Sequence, residues 1–335
     1  MPSTKSIKQR IKSVKNTSQI TKAMEVVSAT KMRKAQEFAI RARPYAVASL
    51  EMMQNLLART PAELLPPILM PRPVATSVLL VITSDKGLAG AFNANVLKKA
   101  EIWITEKKNS GMPYAVIVVG KKAKDYFDPV RSQSPEATAV PPMAERTSNG
   151  VERRGVEIVR SFWGFGDYSA TEETLPVADL LLQGFLNGAW DAADAVYTNF
   201  RTTLRQEAVM KRILPATREG LEDAVAAILP EAGRFSRLNL QPSILNPRYS
   251  YEYKFEPSAA AILEALVPQL IRMHIHHIIL ESNASEHSAR MVAMKSASDN
   301  ARELIGDLTL EFNKARQANI TRELAEITAG AEALE

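Results

Sequence analysis

The chain of 335 residues contains no cysteine. Disulfides, cysteine-ligated zinc and a cysteine nucleophile are therefore excluded. A long uninterrupted apolar run is also missing. The best stretch, Ala259 to Leu280, is broken by Glu264, Pro268, Gln269 and Arg272, so no span of ~20 apolar residues is available. The start, MPSTKSIKQR, has no apolar h-region and does not read as a signal peptide or transit segment. Glycine is absent from residues 3–59, and that stretch has one proline, Pro44. After Pro268 no proline follows, and the glycines are only Gly306 and Gly330. Each costs a helix ~1 kcal/mol without ending it.

Charge is unevenly spread. Residues 1–43 hold 11 Lys/Arg and 2 Asp/Glu, an excess of +9, and the rest holds 31 basic and 35 acidic residues, a balance of −4. Residues 281–335 carry 6 basic and 10 acidic side chains. The two ends are thus complementary, and the basic end calls for an acidic partner surface.

Both ends show helical periodicity. Apolar residues fall at Ile7, Ile11, Val14, Ile20, Met24, Val27, Ala35, Phe38, Ala42 and Tyr45. The steps alternate between three and four with a slip after Val14, as in a coiled-coil seam. A helix of ~55 residues would be ~80 Å long, with Pro44 bending or breaking it. The proline-rich TPAELLPPILMPRP at Thr60 to Pro73 ends it. At the other end, Ala297, Ala301, Leu304 and Leu308 form a seam that slips at Phe312 and Ala315. It resumes at Ile320, Leu324, Ile327, Ala331 and Leu334. From Gln269 this is one helix of ~65 residues, ~95 Å long. A compact domain of ~200 residues has a radius of gyration of only ~16 Å. The two helices are therefore expected to pair with each other, antiparallel, rather than cover a domain.

The middle differs. SVLLVIT (Ser77 to Thr83) and YAVIVV (Tyr114 to Val119) read as buried strands. Asn95 to Lys108 and Val177 to Trp190 read as helices, and Asp194 to Phe200 and Ala208 to Leu214 as further strands. Alternating strands and helices predict an open, largely parallel sheet. Segments 131–153 and 216–248, rich in Pro, Gly, Ser and charge, read as loops or insertions. The expected division is a helix over 1–60, an α/β domain over 74–215, a loop or insertion over 216–256 and a helix over 257–335.

Several features have plain readings. SDKGLAG (Ser84 to Gly90) lacks the spacing of a phosphate loop, and its one lysine precedes the glycines. His274 and His277 share a helix face without a carboxylate one turn away on that face, so no metal is expected. The basic stripe Lys5, Lys8, Lys12, Lys15, Lys22, Lys31, Arg33 and Lys34 has no aromatic residue before Phe38. Base stacking has nothing to use there. A stand-alone coiled-coil scaffold and a basic nucleic-acid-binding protein remain the alternatives that composition allows.

Three blocks carry a resemblance. They are IKQRIKSVKNTSQITKAMEVVSATKMRKAQ (Ile7 to Gln36), ITSDKGLAGAFNANV (Ile82 to Val96) and the stretch from Ala284 to Leu334. They resemble the gamma subunit of F-type, rotary ATP synthases. The family's turn block often carries Cys where Ala89 stands, and the chloroplast regulatory cysteine pair is absent. The resemblance implies a mixed α+β and α/β fold: a long antiparallel coiled coil of the terminal helices plus a central Rossmann-like domain. It implies a central-stalk rotor with no catalytic residue, cofactor or metal. Its partners would be three alpha and three beta subunits, epsilon, delta and the membrane c ring. The location would be peripheral, on the cytoplasmic side of the cell membrane. Carried over by position, Arg316, Gln317 and Thr321 would hydrogen-bond to catalytic subunits, and Met24 would lie near the same level. Lys86 would lie beneath the beta subunits. Tyr253, Phe255 and Glu256 would lie near the c ring.

Overall fold

In a computed structural model of the chain, the described residues are 4–41, 48, 52–53, 55–57, 59–127, 156–166, 169–216 and 255–332. Ten helices and strands are described here in chain order. They are α1 (Thr4–Arg41), β1 (Ser77–Ile82), α2 (Phe92–Asn109), β2 (Tyr114–Val119) and α3 (Lys121–Phe127), then β3 (Ile158–Phe162), α4 (Thr171–Leu186), β4 (Ala192–Phe200), β5 (Gln206–Leu214) and α5 (Ala259–Glu332). The chain divides into two compact units, Met1–Ala29 with Arg290–Glu335, and Thr30–Ala289.

The first unit is helical and is built from the two chain ends. Along α1 the inward stripe falls at Ile7, Ile11, Val14, Ser18, Thr21, Met24, Glu25 and Ser28. The expected slip after Val14 does not occur. Ser18, Thr21 and Ser28 occupy the inward positions, while Ile20 and Val27 are exposed. The three–four spacing continues, but polar residues hide it from a count of apolar ones. On α5 the inward stripe is Met294, Ser298, Ala301, Ile305, Leu308, Phe312 and Ala315. Here too the seam runs through without a slip. Ser298 and Ile305 stand inward where Ala297 and Leu304 were expected. Small hydroxyl residues let helices approach closely, at the expense of apolar area.

The second unit is an α/β layer structure. Its sheet has the order β3-β2-β1-β4-β5. β1 is parallel to β2 and β4, β2 is parallel to β3, and β5 runs antiparallel to β4. The sheet is therefore mixed, with one antiparallel edge. Side chains alternate between two cores. Val78, Leu80, Ile82, Ile117, Val119, Ala195 and Tyr197 face α4 and the first part of α5. Leu79, Val81, Val116, Val118 and Val196 face α2 and α3. Burial on both faces is why the strands read as unbroken apolar runs. β3, with the sequence IVRSF, is a half-buried edge strand and gave no such signal.

Two close approaches fix this layer. At Gly120 φ is +96°, and an added Cβ would stand 2.2 Å from the Thr83 carbonyl oxygen. At Gly184 a Cβ would meet the Trp190 ring at 1.9 Å. α4 starts at Thr171 rather than Val177. Glu173 folds back to accept the Ala170 N–H at 3.0 Å, and acidic residues at this end suit the helix dipole. α5 begins at Ala259, inside the helical segment expected over 257–335 and ten residues before Gln269, and carries Pro268 inside it. Pro268 removes the bond to the Glu264 carbonyl, and Glu264 is exposed, so water can take that place. Leu263, Val267, Leu270 and Ile271 anchor this turn in the core. Packing thus overrides the local cost of proline.

Candidate partner-binding surfaces

In the first unit, the last part of α5 leaves its apolar residues uncovered. Ile320, Leu324 and Ile327 are 48%, 59% and 68% exposed. Their i, i+4, i+7 spacing puts them on one face. Arg316 and Gln317, one turn earlier, flank that stripe and are exposed, as is Thr321. The Thr321 hydroxyl donates to the Gln317 carbonyl at 2.9 Å, leaving the amide of Gln317 to other donors and acceptors. On α1, Ile20 and Val27 form a second exposed apolar pair seven residues apart. Met24 is partly buried. These four sequence-selected residues, Met24, Arg316, Gln317 and Thr321, therefore belong to one unit.

Lys86 and Glu256 belong to the other. The turn after β1 is held by its own polar side chains. Asn93 Oδ1 accepts the Ser84 N–H at 3.0 Å, and the Ser84 hydroxyl donates to the Lys86 carbonyl at 2.6 Å. Asp85 accepts the N–H groups of Lys121 and Gly164 at 2.8 and 2.9 Å, tying together the ends of β1, β2 and β3. The turn presents Lys86 and Leu88 outward, and Leu88 has a φ of +62°. Such a backbone is costly for a branched residue and recurs at binding surfaces. Glu256 is exposed. Phe255 packs on the core, with the Arg59 guanidinium 5.5 Å from its ring centre. Tyr253 lies outside the described residues.

The histidines have a different surrounding from the one their spacing suggested. Burial, reinforced by His274, His276 and Lys211, holds His277 down to about 3. Burial and Lys211 hold His274 at about 4. Both rings are therefore neutral, and among the described residues no group of three His, Asp or Glu side chains is placed to hold a metal. Glu281 stands one turn beyond His277 on the same face, which corrects the expectation that no carboxylate lies there, and it is pushed up to about 8 by burial, against the opposing pull of the Phe200 N–H, Lys211 and Arg201. Sequence reading did not single out Glu281. The only signal was its position, a carboxylate directly after the apolar run IIL. Among the described residues no helix is long and apolar enough to cross a membrane.

Comparison with known proteins bears on the family rather than on these surfaces. The family model described as ATP synthase matches residues 3–334. The ATP synthase gamma chain of Roseiflexus castenholzii is 38% identical over 335 residues, covering 100% of this chain and 99% of that one. The ATP synthase gamma chain of Gloeothece citriformis is 37% identical over 338 residues, covering 100% of both. In the fold, the chain is similar to one from the Euglena gracilis mitochondrial ATP synthase (OSCP/F1/c-ring), with a TM-score of 0.59. The identity there is 18%, over 99% of this chain and 94% of that one. A chain from the Tetrahymena thermophila mitochondrial ATP synthase central stalk and c ring gives a TM-score of 0.51 at 18% identity, over 83% of this chain and 99% of that one. Neither the free-standing scaffold nor the nucleic-acid-binding reading finds support in these likenesses. With its helical ends, its mixed sheet and full-length identity to named gamma chains, the chain belongs to the ATP synthase gamma-chain family.

Proposed function

We infer that this chain, the central-stalk subunit of an F-type ATP synthase, acts as a shaft with no chemistry of its own. Rotation of the proton-driven c ring turns it within a ring of three alpha and three beta subunits, with epsilon and delta in the same complex. Each face of the shaft then favours one conformation of the beta site it touches. A ligand or partner shifts such an equilibrium only by its differential contact with the two states, so an asymmetric surface is required. The complex makes the chain a peripheral membrane subunit, on the cytoplasmic side. Residues 1–60 and 257–335 would be the shaft helices, 74–215 the α/β domain and 216–256 an insertion.

One observation carries this reading. Ile320, Leu324 and Ile327 lie exposed on a helix whose other sides are also exposed. A helix gains most of its stability in water by burying an apolar face. Here the chain itself supplies nothing to bury it against among the described residues, and a surrounding sleeve of subunits would. Arg316, Gln317 and Thr321 are assigned to polar contacts with that sleeve and Met24 to its wall. Lys86 is assigned to a position beneath the beta subunits, and Glu256 with Tyr253 to the c ring. Arg and Gln offer several donors that can be engaged and released as the shaft turns.

Affinity purification of this chain from its source tests the reading. One copy of the chain should be recovered with three alpha and three beta subunits. Recovery as a lone homodimer contradicts it. The purified chain alone should hydrolyse no ATP.

A further inference from the structure

The buried face of α5 changes character along its length. Up to Leu280 it is apolar except for His277, with Val267, Ile271, Ile275, Ile278 and Ile279 in the core. From Glu281 to Ser288 the buried side chains are Glu281, Ser282, Ser285, His287 and Ser288, with Ala284 between them. Burying polar groups is costly unless they are hydrogen-bonded. Ser285 and Ser288 are both fully buried, where alanine would fill nearly the same space at lower cost. A helix that needed only adhesion would have stayed apolar here.

The polar contacts fall into two rows. In one row, Arg272 Nε donates to Asp179 Oδ1 of α4 at 2.7 Å. His276 Nδ1 lies 2.9 Å from the Thr174 hydroxyl. That hydroxyl already donates to the Thr171 carbonyl at 3.0 Å, so the imidazole tautomer with its proton on Nδ1 satisfies both. Asn283 Nδ2 donates to the Ser169 hydroxyl at 2.7 Å. Ser169 leads into α4 with a φ of +38°, so this contact grips a backbone held in a sparsely populated region. In the second row, Glu281 Oε1 accepts the Phe200 N–H at 3.2 Å. The Ser285 hydroxyl donates to the Thr198 carbonyl at 3.2 Å. The Ser288 hydroxyl donates to the Thr203 carbonyl at 2.8 Å and accepts from Gln206 Nε2 at 3.2 Å.

The spacing of the rows matters. Positions 272, 276 and 283 share one helix face, and 281, 285 and 288 share another. Nine residues separate Arg272 from Glu281, which at 3.6 residues per turn places the rows about 180° apart around the helix axis. One row holds α4 and its leading loop. The other holds the end of β4 and the turn to β5. We propose that these opposed rows key α5 against rotation about its own axis, so that they, rather than the apolar packing, carry torque between the sheet layer and the shaft helix. Apolar contacts are non-directional and let a helix turn in its groove. Hydrogen bonds weaken steeply as their angle departs from linear, and rows on opposite sides cannot both follow a turn. The residues act as positioning groups, and the proposal rests on the shaft reading.

The test uses the assembled ATP synthase with this chain, reconstituted into vesicles. It reads ATP hydrolysis and ATP-driven proton pumping into the same vesicles. S285A/S288A keeps the small volume at the contact and removes both hydroxyls, so packing alone predicts an unchanged ratio of pumping to hydrolysis. The key predicts that this ratio falls by roughly fivefold or more against a standing proton gradient, fivefold being about the factor for any one of the three lost hydrogen bonds. Hydrolysis without a gradient should stay at the wild-type rate. R272D should lower the ratio in the same way, and R272D/D179R should recover it. An unchanged ratio in assembled S285A/S288A complexes overturns the key, as does failure of the charge swap to restore what R272D loses. Should S285A/S288A not assemble, the R272D and R272D/D179R pair decides by itself. A wild-type chain that enters no coupled complex overturns the shaft reading instead.

Discussion

Glu281 Oε1 accepts the backbone N–H of Phe200, while its Oε2 is buried without a hydrogen-bond partner. Burial raises this carboxyl from 4.5 to about 8, and it pushes the nearby Tyr197 hydroxyl above its ordinary 10, with the Glu281 charge adding to the effect. The folded chain therefore keeps a proton that the unfolded chain loses at 4.5. Stability from Glu281 is complete below pH 4.5, falls as pH rises towards 8 and then levels off. His274, His276 and His277 have depressed values, so their contribution is complete above 6.5 and lost as pH falls below it. The interval from 6.5 to 8 isolates Glu281. Denaturant unfolding there should show stability dropping by on the order of 1 kcal/mol per pH unit, and E281Q should flatten that slope. A wild-type slope of zero in this interval contradicts the assignment.

Arg72 joins the segment before β1 to the loop between α4 and β4. Its Nη2 donates to the carbonyls of Phe185 and Trp190 at 2.9 and 2.6 Å, and its guanidinium lies 4.2 Å from the Phe185 ring centre. Nε stands 2.8 Å from Asp191 Oδ1 as an ion pair rather than an aligned hydrogen bond. The Thr76 N–H does most to hold the Asp191 carboxyl below its ordinary value. Burial opposes this, while the Ala75 N–H and Arg72 assist. R72A leaves two carbonyls and a carboxylate short of a partner and should cost roughly 2–3 kcal/mol. R72K, which keeps the charge but not the fork, should fall between. A midpoint unchanged in R72A would show that water replaces the guanidinium without loss.

At Gly184 two effects oppose each other. Alanine is the better helix former by ~1 kcal/mol. Its Cβ would, however, enter the ring of Trp190, which is buried and donates from Nε1 to the Leu181 carbonyl at 3.0 Å. Overpacking of this kind costs ~1–3 kcal/mol and sometimes more. The clash should win, so G184A is expected to unfold at a lower temperature. A higher melting temperature would mean that Trp190 moves aside freely.

Arg316 and Gln317 are exposed in the isolated chain. R316A and Q317A should leave its unfolding midpoint within about 0.5 kcal/mol of wild type, as is usual for surface sites. The same variants should slow ATP turnover of the assembled complex. Unchanged turnover removes these residues from the partner contact.

Much of the architecture was legible because it rests on periodicity. Ser77–Ile82 and Tyr114–Val119 are apolar throughout since both faces are covered, and the long last helix has no breaker after Pro268. The errors have physical causes. Inward serines and threonine at 18, 21 and 28 made a continuous seam look interrupted, because apolar residues alone do not mark a helix contact. Edge strand β3 has no fully buried residue, with Arg160 exposed and the others half-buried, and no clean alternation. The candidate contacts of Arg316 and Lys86 came from resemblance, not from pattern, since an exposed polar helix face carries no signal of what meets it. The buried Glu281 row was missed for the opposite reason: Glu and Ser read as surface residues unless the partner strand is known.

The most direct measurement of the central claim is rotation. Alpha and beta subunits assembled with this chain would be fixed to a surface, with a bead attached to the chain. On addition of ATP the bead should turn in one direction and pause at three angles per revolution, one for each beta subunit. A bead that stays still while ATP is hydrolysed at the full rate would contradict the account.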